Sequence, residues 1–128
     1  TWQPLAANEW LTVPGAVLLR HTDLPAAADG PGMFAQSDPA LVTTTLRAAG
    51  FVDITIDATD VAFTLGPTVD EAVEYLADSG PGQGLLETIP EGPARHAALA
   101  EVRDALVEFT DRSGVRLGGG IWLVSATR

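Results

Sequence analysis

Two side chains have the types and spacing of a general acid/base pair. His21 and Asp23 lie two residues apart where an apolar segment passes into a loop, so the imidazole could take up a proton while the carboxylate orients the ring. The alternative interpretation, two solvated loop residues, is the commoner one for such a pair. His21 and Asp23 are therefore weak catalytic candidates, and no other residue is singled out as a catalytic base.

Other kinds of reactive centre have little support in the sequence. With no cysteine and two histidines, the chain offers no thiolate nucleophile and no Cys/His metal site, so no metal is expected. None of its serines lies in a Gly-x-Ser-x-Gly nucleophile elbow. Carboxylates are abundant, but no spacing distinguishes a catalytic pair.

Composition and charge narrow the classes of partner. The 128 residues fit one domain, and no apolar run approaches the length of a membrane span. A net charge of −10, with seven arginines and no lysine, argues against binding a phosphate backbone. We therefore expect a single domain over residues 1–128 that binds neither nucleic acid nor membrane. The absence of cysteine permits a cytoplasmic location, which is our expectation.

The most informative stretch is a helix, a glycine stop and a strand in close succession. Asp38 is a good N-cap, Pro39 suits the first helical position, and apolar residues recur at helical spacing up to Ala49. Gly50 is then expected in the left-handed conformation after the helix, with Phe51 packing back on the last turn.

Two long strands are predicted, over about 51–65 and 115–127. The first alternates apolar and polar residues, but its apolar positions shift from even (Ile56) to odd (Val61), which indicates a bulge or bend near 58–60. The second is apolar on both faces, as is typical of a strand inside a sheet. A central strand needs two neighbours, so one sheet edge is expected to be open unless residues 1–4 or a loop cover it.

Helices and a long loop complete the predicted elements. A helical run from Asn8 is expected to be interrupted at Pro14–Gly15. Thr68–Glu71 has the pattern of a capping box, and a longer helix is predicted over about 92–110. Residues 21–37 are rich in proline and glycine and long enough to suggest a lid or substrate loop.

Three of these features together resemble one protein family. The helix, Ala49-Gly50-Phe51 and strand unit is similar to the last crossover of class I S-adenosylmethionine-dependent methyltransferases, in particular the small-molecule, quinone-methyltransferase-like group. The opening residues 1–10 resemble the end of that family's fifth strand, and residues 114–124 its seventh, antiparallel strand. The resemblance implies an α/β fold that forms the C-terminal part of a Rossmann-like methyltransferase sheet, with an antiparallel strand pair (51–65 and 115–127) packed by helices.

The same resemblance implies a function in acceptor binding. In that family the end of the fifth strand and the loops after it face the transferred methyl group. Trp2, Trp10, Met33 and Phe34 would then line the acceptor side of the pocket, and Gln3 could hydrogen-bond an acceptor hydroxyl. The alternative, of equal weight, is that these four apolar residues pack the core.

The family's cofactor-binding motifs, a glycine-rich turn after the first strand and an acidic residue ending the second, are not in this sequence. Gly118–Gly120 lies inside a strand, so a bulge or close backbone packing is expected there instead. S-adenosylmethionine would thus be bound mainly by residues outside this chain. We expect an acceptor-binding half that is inactive alone, whether as a fragment, a truncated product or one part of a split enzyme.

Two other functions stay open at this point. One is a non-catalytic α+β module that self-associates or recruits a partner through its open sheet edge. The other is a pocket for an apolar ligand without any chemistry. The partners expected are accordingly a small-molecule acceptor and either a missing N-terminal half or a second copy.

Overall fold

The computed structural model describes residues 1–23, 32–78 and 80–128. These residues form an α/β structure. Residues 24–31 of the loop predicted over 21–37 lie outside the described residues. The elements follow in chain order: a 3-10 helix Leu5–Ala7, α1 Glu9–Leu19, α2 Pro39–Ala48, β1 Val52–Gly66, α3 Val69–Asp78, α4 Gly80–Glu87, α5 Pro93–Val107, β2 Thr110–Asp111 and β3 Gly114–Thr127.

The chain divides into two compact units. The first contains the described residues of Thr1–Asn8, Asp29–Val61 and Gly118–Arg128, and so holds α2 and the greater part of β1 and β3. The second contains those of Glu9–Ala28 and Ala62–Leu117, and so holds α1, α3, α4, α5 and β2.

The sheet has the order β1-β3-β2, with β3 in the middle and its neighbours antiparallel to it. The predicted strand pair is thereby confirmed. In β1 the half-buried positions change from Ile54 and Ile56 to Thr59 and Val61, the parity shift expected near residues 58–60, although the strand continues through it. The short β2 was not predicted; Thr110 pairs with Val115 in a tight hairpin.

The structure of α2 follows its local sequence closely. The Asp38 carboxylate accepts a hydrogen bond from the Ala40 N–H at 2.8 Å, which caps the helix. At the other end Gly50 has a φ of +87°, and the Phe51 N–H donates to the Leu46 carbonyl at 3.0 Å. This is the Schellman ending that the sequence predicts.

The predicted break at Pro14–Gly15 is wrong. Helix α1 runs unbroken from Glu9 to Leu19, with Pro14 inside it. A proline within a helix costs about 3 kcal/mol. Here Trp10, Pro14, Val17 and Leu18 are all buried on the helix, and burial of several large side chains, each worth about 1.5–3 kcal/mol, outweighs that cost.

The second unit is a helical core. Thr68 Oγ1 accepts a hydrogen bond from the Glu71 N–H at 3.3 Å, which is one half of the predicted capping box. The Glu71 carboxylate accepts from the Thr68 hydroxyl at 2.7 Å. The long helix predicted over 92–110 is α5, which ends at Val107 because Thr110 enters β2. Fully or almost fully buried side chains fill the core: Ala72, Ile89, Ala98, Val102, Leu106 and Val115.

A matched pair of glycine substitutions tests whether Gly50 is required in the left-handed conformation after α2. Gly50→Ala places a Cβ in a left-handed conformation and should lower the free energy of unfolding by about 1–2 kcal/mol. Gly15→Ala lies in α1, where a Cβ would meet no atom within 4 Å, and should raise it by about 0.5–1 kcal/mol. Chemical denaturation measures the free energy of unfolding of both variants. Equal changes in this free energy at the two sites would contradict a left-handed Gly50 at the end of α2.

Candidate functional site

The N-terminal segment lies antiparallel along β3. Trp2 pairs with Ile121, the Thr1 nitrogen donates to the Trp122 carbonyl at 3.0 Å, and the Trp122 N–H donates to the Thr1 carbonyl at 2.7 Å. The Gln3 N–H donates to the Gly120 carbonyl at 3.0 Å. Because β1 occupies one edge of β3, these residues lie on the other edge.

Asn8 fixes this segment in place. Its side chain is fully buried, and its Oδ1 atom accepts a hydrogen bond from the Gly120 N–H at 3.3 Å. Its Nδ2 atom donates to the carbonyls of Gln3 at 3.2 Å and Pro4 at 3.1 Å. One buried amide therefore satisfies backbone groups on both β3 and the segment beside it, as burial of polar groups requires.

Gly120 allows the segment to approach closely. A Cβ at this position would lie 2.9 Å from Gln3 Cδ and 3.0 Å from Ala7 Cβ. Since its N–H and carbonyl are already bonded to Asn8 and Gln3, this part of the glycine run serves backbone packing. Nothing at Gly120 offers free donors for a nucleotide-like cofactor.

A turn formed by residues 32–37 is anchored to the same strand. The indole N–H of Trp122 donates to the Ser37 carbonyl at 2.7 Å, and Thr1 Oγ1 donates to the Gln36 carbonyl at 3.3 Å. The role of Trp122 was missed by sequence reasoning, because its partner is far away along the chain. These bonds hold the turn in the first unit.

Four of the five predicted acceptor-binding residues belong to this first unit. Trp2 and Phe34 are half-buried, and Met33 is 39% exposed. The Gln3 side chain donates from Nε2 to the Ile121 carbonyl at 3.0 Å. They lie on two segments, the N-terminal one and the 32–37 turn, that are joined by hydrogen bonds to β3.

Trp10 is placed differently. It belongs to the second unit, is 8% exposed, and packs its ring on that of Phe63 with centroids 5.3 Å apart. For Trp10 the geometry favours the alternative that the sequence left open, a residue of the core.

A cavity of about 360 Å³ opens in the first unit between α2 and β3. Its size is within the range of small-ligand sites. None of the predicted acceptor-binding residues lines it. Its lining comprises Thr1, Gln36, Leu41, Val42, Thr45, Leu46 and Val124.

The carboxylate beside His21 is that of Glu101. His21 Nε2, which is buried, lies 3.2 Å from Glu101 Oε1, but the two atoms are not aligned as a hydrogen bond. Glu101 Oε2 also accepts from the Arg20 guanidinium at 3.0 Å. Asp23, the orienting group predicted from the sequence, is exposed. Glu101 lies on α5, far from His21 in the chain, so no local pattern could reveal it.

This cluster changes the acidity of Glu101. The hydrogen bond from Arg20, followed by the interaction with His21, lowers the pKa of the Glu101 carboxyl below 4.5. The carboxylate is well exposed, so it acts as an ion-pair partner on the surface and not as a buried base.

Residues 1–23, 32–78 and 80–128 contain no group of three or more His, Cys, Asp or Glu side chains arranged to hold a metal ion. Nor does a helix in this part of the chain have the length and hydrophobicity of a transmembrane span. The chain matches no protein-family model, no curated protein and no solved structure at a significant level.

The lowered pKa of Glu101 predicts how stability changes in acid. Because the folded pKa lies below the unfolded value, the ionised carboxylate stabilises the fold above about pH 4.5, and this contribution is lost as the pH falls through the folded pKa. As the pH falls from neutral to below the folded pKa of Glu101, the free energy of unfolding should therefore decrease less in Glu101→Gln than in the wild type. Urea denaturation at a series of pH values measures this difference.

Glu74→Gln is the control, since Glu74 is an exposed glutamate on α3 for which no ion pair is found among the described residues. Its acid dependence should match that of the wild type. If Glu101→Gln also matches the wild type, the contacts with Arg20 and His21 do not stabilise the fold.

Proposed function

We propose that this chain is the acceptor-binding half of an S-adenosylmethionine-dependent methyltransferase that modifies small hydroxylated molecules. On this proposal the sheet is the C-terminal part of a Rossmann-like methyltransferase sheet. The cofactor would be held mainly by residues outside the chain, which would be inactive alone.

One observation carries the proposal, namely the order in which three strand segments lie side by side. Residues 1–3 pair with β3, and β3 pairs with β1, so the last segment in the sequence lies between two earlier ones and is antiparallel to its neighbours. Helix α2 precedes β1 in the chain. This order supports the correspondence with the fifth, seventh and sixth strands of the family.

The residues on the first unit suit acceptor binding. Trp2 and Phe34 offer half-buried aromatic surfaces, Met33 an exposed thioether, and Gln3 a side-chain amide whose nitrogen is already bonded to Ile121. We infer that the Gln3 amide oxygen accepts a hydrogen bond from the acceptor's hydroxyl, while the aromatic rings orient its plane. Such orientation is a large part of what a group-transfer enzyme must supply.

The glycine run of this chain differs from a cofactor-binding turn. The run Gly118–Gly120 lies within β3, and the N–H of Gly120 is bonded to the buried Asn8. A strand interior of this kind lacks the free, converging N–H groups found where a glycine-rich turn meets a helix. On the proposal these residues position the N-terminal segment, and the cofactor is bound elsewhere.

Calorimetric titration with S-adenosylmethionine tests this division of roles. The 128-residue chain should show no binding of micromolar affinity, because the cofactor site is not in it. A longer protein that includes the residues encoded upstream of Thr1 should bind the cofactor. Micromolar binding by the isolated chain, or none by the longer protein, would overturn the proposal.

In the longer protein, steady-state kinetics then test whether Trp2 contributes to acceptor binding. Trp2→Leu should raise the acceptor KM about tenfold, equivalent to about 1.4 kcal/mol, and leave the cofactor Kd unchanged. Tyr75→Leu removes an aromatic ring that is 51% exposed on α3 and should change neither value. A change in the cofactor Kd with Trp2→Leu would mean that Trp2 does not belong to the acceptor side.

A further inference from the structure

We propose that two copies of this chain associate by pairing the free edge of β3 over residues 123–127. This inference does not depend on the proposed function. It rests on backbone groups of this edge for which the described part of the chain supplies no partner, on the apolar side chains beside them, and on the distribution of charge.

The unpaired groups follow from the alternation of hydrogen bonds along an antiparallel strand. Gly120 and Trp122 direct their N–H and carbonyl groups to the N-terminal segment. Every second residue of a strand points to the same edge, so Val124 and Ala126 also direct theirs away from β1. Pairing with the N-terminal segment ends at Thr1, and no described residue is found to bond the backbone of Val124 or Ala126 on that edge.

Apolar surface lies on both faces of this edge. Leu123 is 57% exposed, and Val124 lines the cavity next to it together with Leu41, which is 49% exposed. An unpaired strand edge with exposed large apolar residues is a template for the addition of another strand. Because successive side chains of a strand point to opposite faces of the sheet, the added strand would cover the cavity on one face and Leu123 on the other.

The charge distribution favours a second copy as the occupant. None of the chain's 17 acidic residues lies in residues 1–8, 39–50 or 114–128. The Asp53 carboxylate of β1 reaches this part of β3, where it accepts a hydrogen bond from Thr127 Oγ1 at 2.9 Å. Because antiparallel pairing about a twofold axis places Thr127 opposite Leu123 of the other copy, the two Asp53 carboxylates would lie at opposite ends of the paired segment and not against each other. The edge is also self-complementary, because residues 123–127 of two copies can pair antiparallel about a twofold axis.

The association should be weak. A strand of this length buries much less than the roughly 1,000 Å² typical of a stable interface, so we expect a Kd on the order of 100 μM. The two acidic molecules repel each other, and salt screens this repulsion. The Kd of the dimer should therefore fall as the salt concentration rises.

Sedimentation velocity of the 128-residue chain over about 10–1,000 μM, a range that brackets this Kd, tests the proposal. The weight-average sedimentation coefficient should rise with concentration for the wild type. Leu123→Lys should abolish the rise, because a charge on an edge strand opposes pairing. Val107→Lys makes the same change in charge at a residue that is 58% exposed on α5, and should leave the rise intact.

Amide hydrogen exchange followed by NMR identifies the edge in the wild type and does not depend on any variant folding. The Val124 and Ala126 amides should exchange more slowly as the concentration increases, while those of Leu123 and Ser125, which face β1, should not respond. A chain that stays monomeric over the whole range overturns the proposal. Slow exchange of the Val124 amide at every concentration also overturns it, because the chain itself would then cover the edge. Association that Leu123→Lys leaves unchanged, or that Val107→Lys also abolishes, overturns it as well.

Discussion

The hydrogen bond from the Gly120 N–H to the buried Asn8 side chain is the contact on which the first unit depends. β3 has one edge covered by β1, and its other edge needs a partner in the middle of the sheet. Asn8 meets that need directly, and its bonds to the carbonyls of Gln3 and Pro4 hold the N-terminal segment, in which residues 1–3 continue the pairing. An unsatisfied buried N–H costs about 1–3 kcal/mol. The Asn8 side chain therefore stabilises the fold by accepting from the Gly120 N–H.

Two properties of the molecule follow from this arrangement. The segment fixed by Asn8 carries Trp2 and Gln3, and the strand it covers carries Trp122, whose indole anchors the 32–37 turn with Met33 and Phe34. The residues proposed to orient an acceptor are thus held by one strand. The same segment pairs only as far as Trp122, and within residues 1–23, 32–78 and 80–128 no partner is found for the outward backbone groups of Val124 and Ala126. The residues proposed to bind an acceptor and the edge proposed for association therefore both depend on β3, at different positions along it.

The features predicted correctly from the sequence depend on residues close together in the chain. The Asp38 cap, the Gly50 ending, the Thr68 cap and the alternation of β1 each involve neighbours within a few positions. Features that depend on distant partners were not predicted: β2, the Asn8 contacts and the approach of Glu101 to His21. The error at Pro14 has the same origin, since a local penalty was weighed without the burial that α1 gains in the helical core.

The central claim is that the buried Asn8 side chain holds the N-terminal segment on β3, and hydrogen exchange of the Gly120 amide tests it most directly. In the wild type the Gly120 and Gln3 amides should be strongly protected. In Asn8→Ala both should exchange far faster, while amides of α5 in the second unit keep their protection. A Gly120 amide that exchanges in the wild type as fast as in an unfolded peptide, or that keeps its protection in Asn8→Ala, would contradict this account of the fold and of the site built on it.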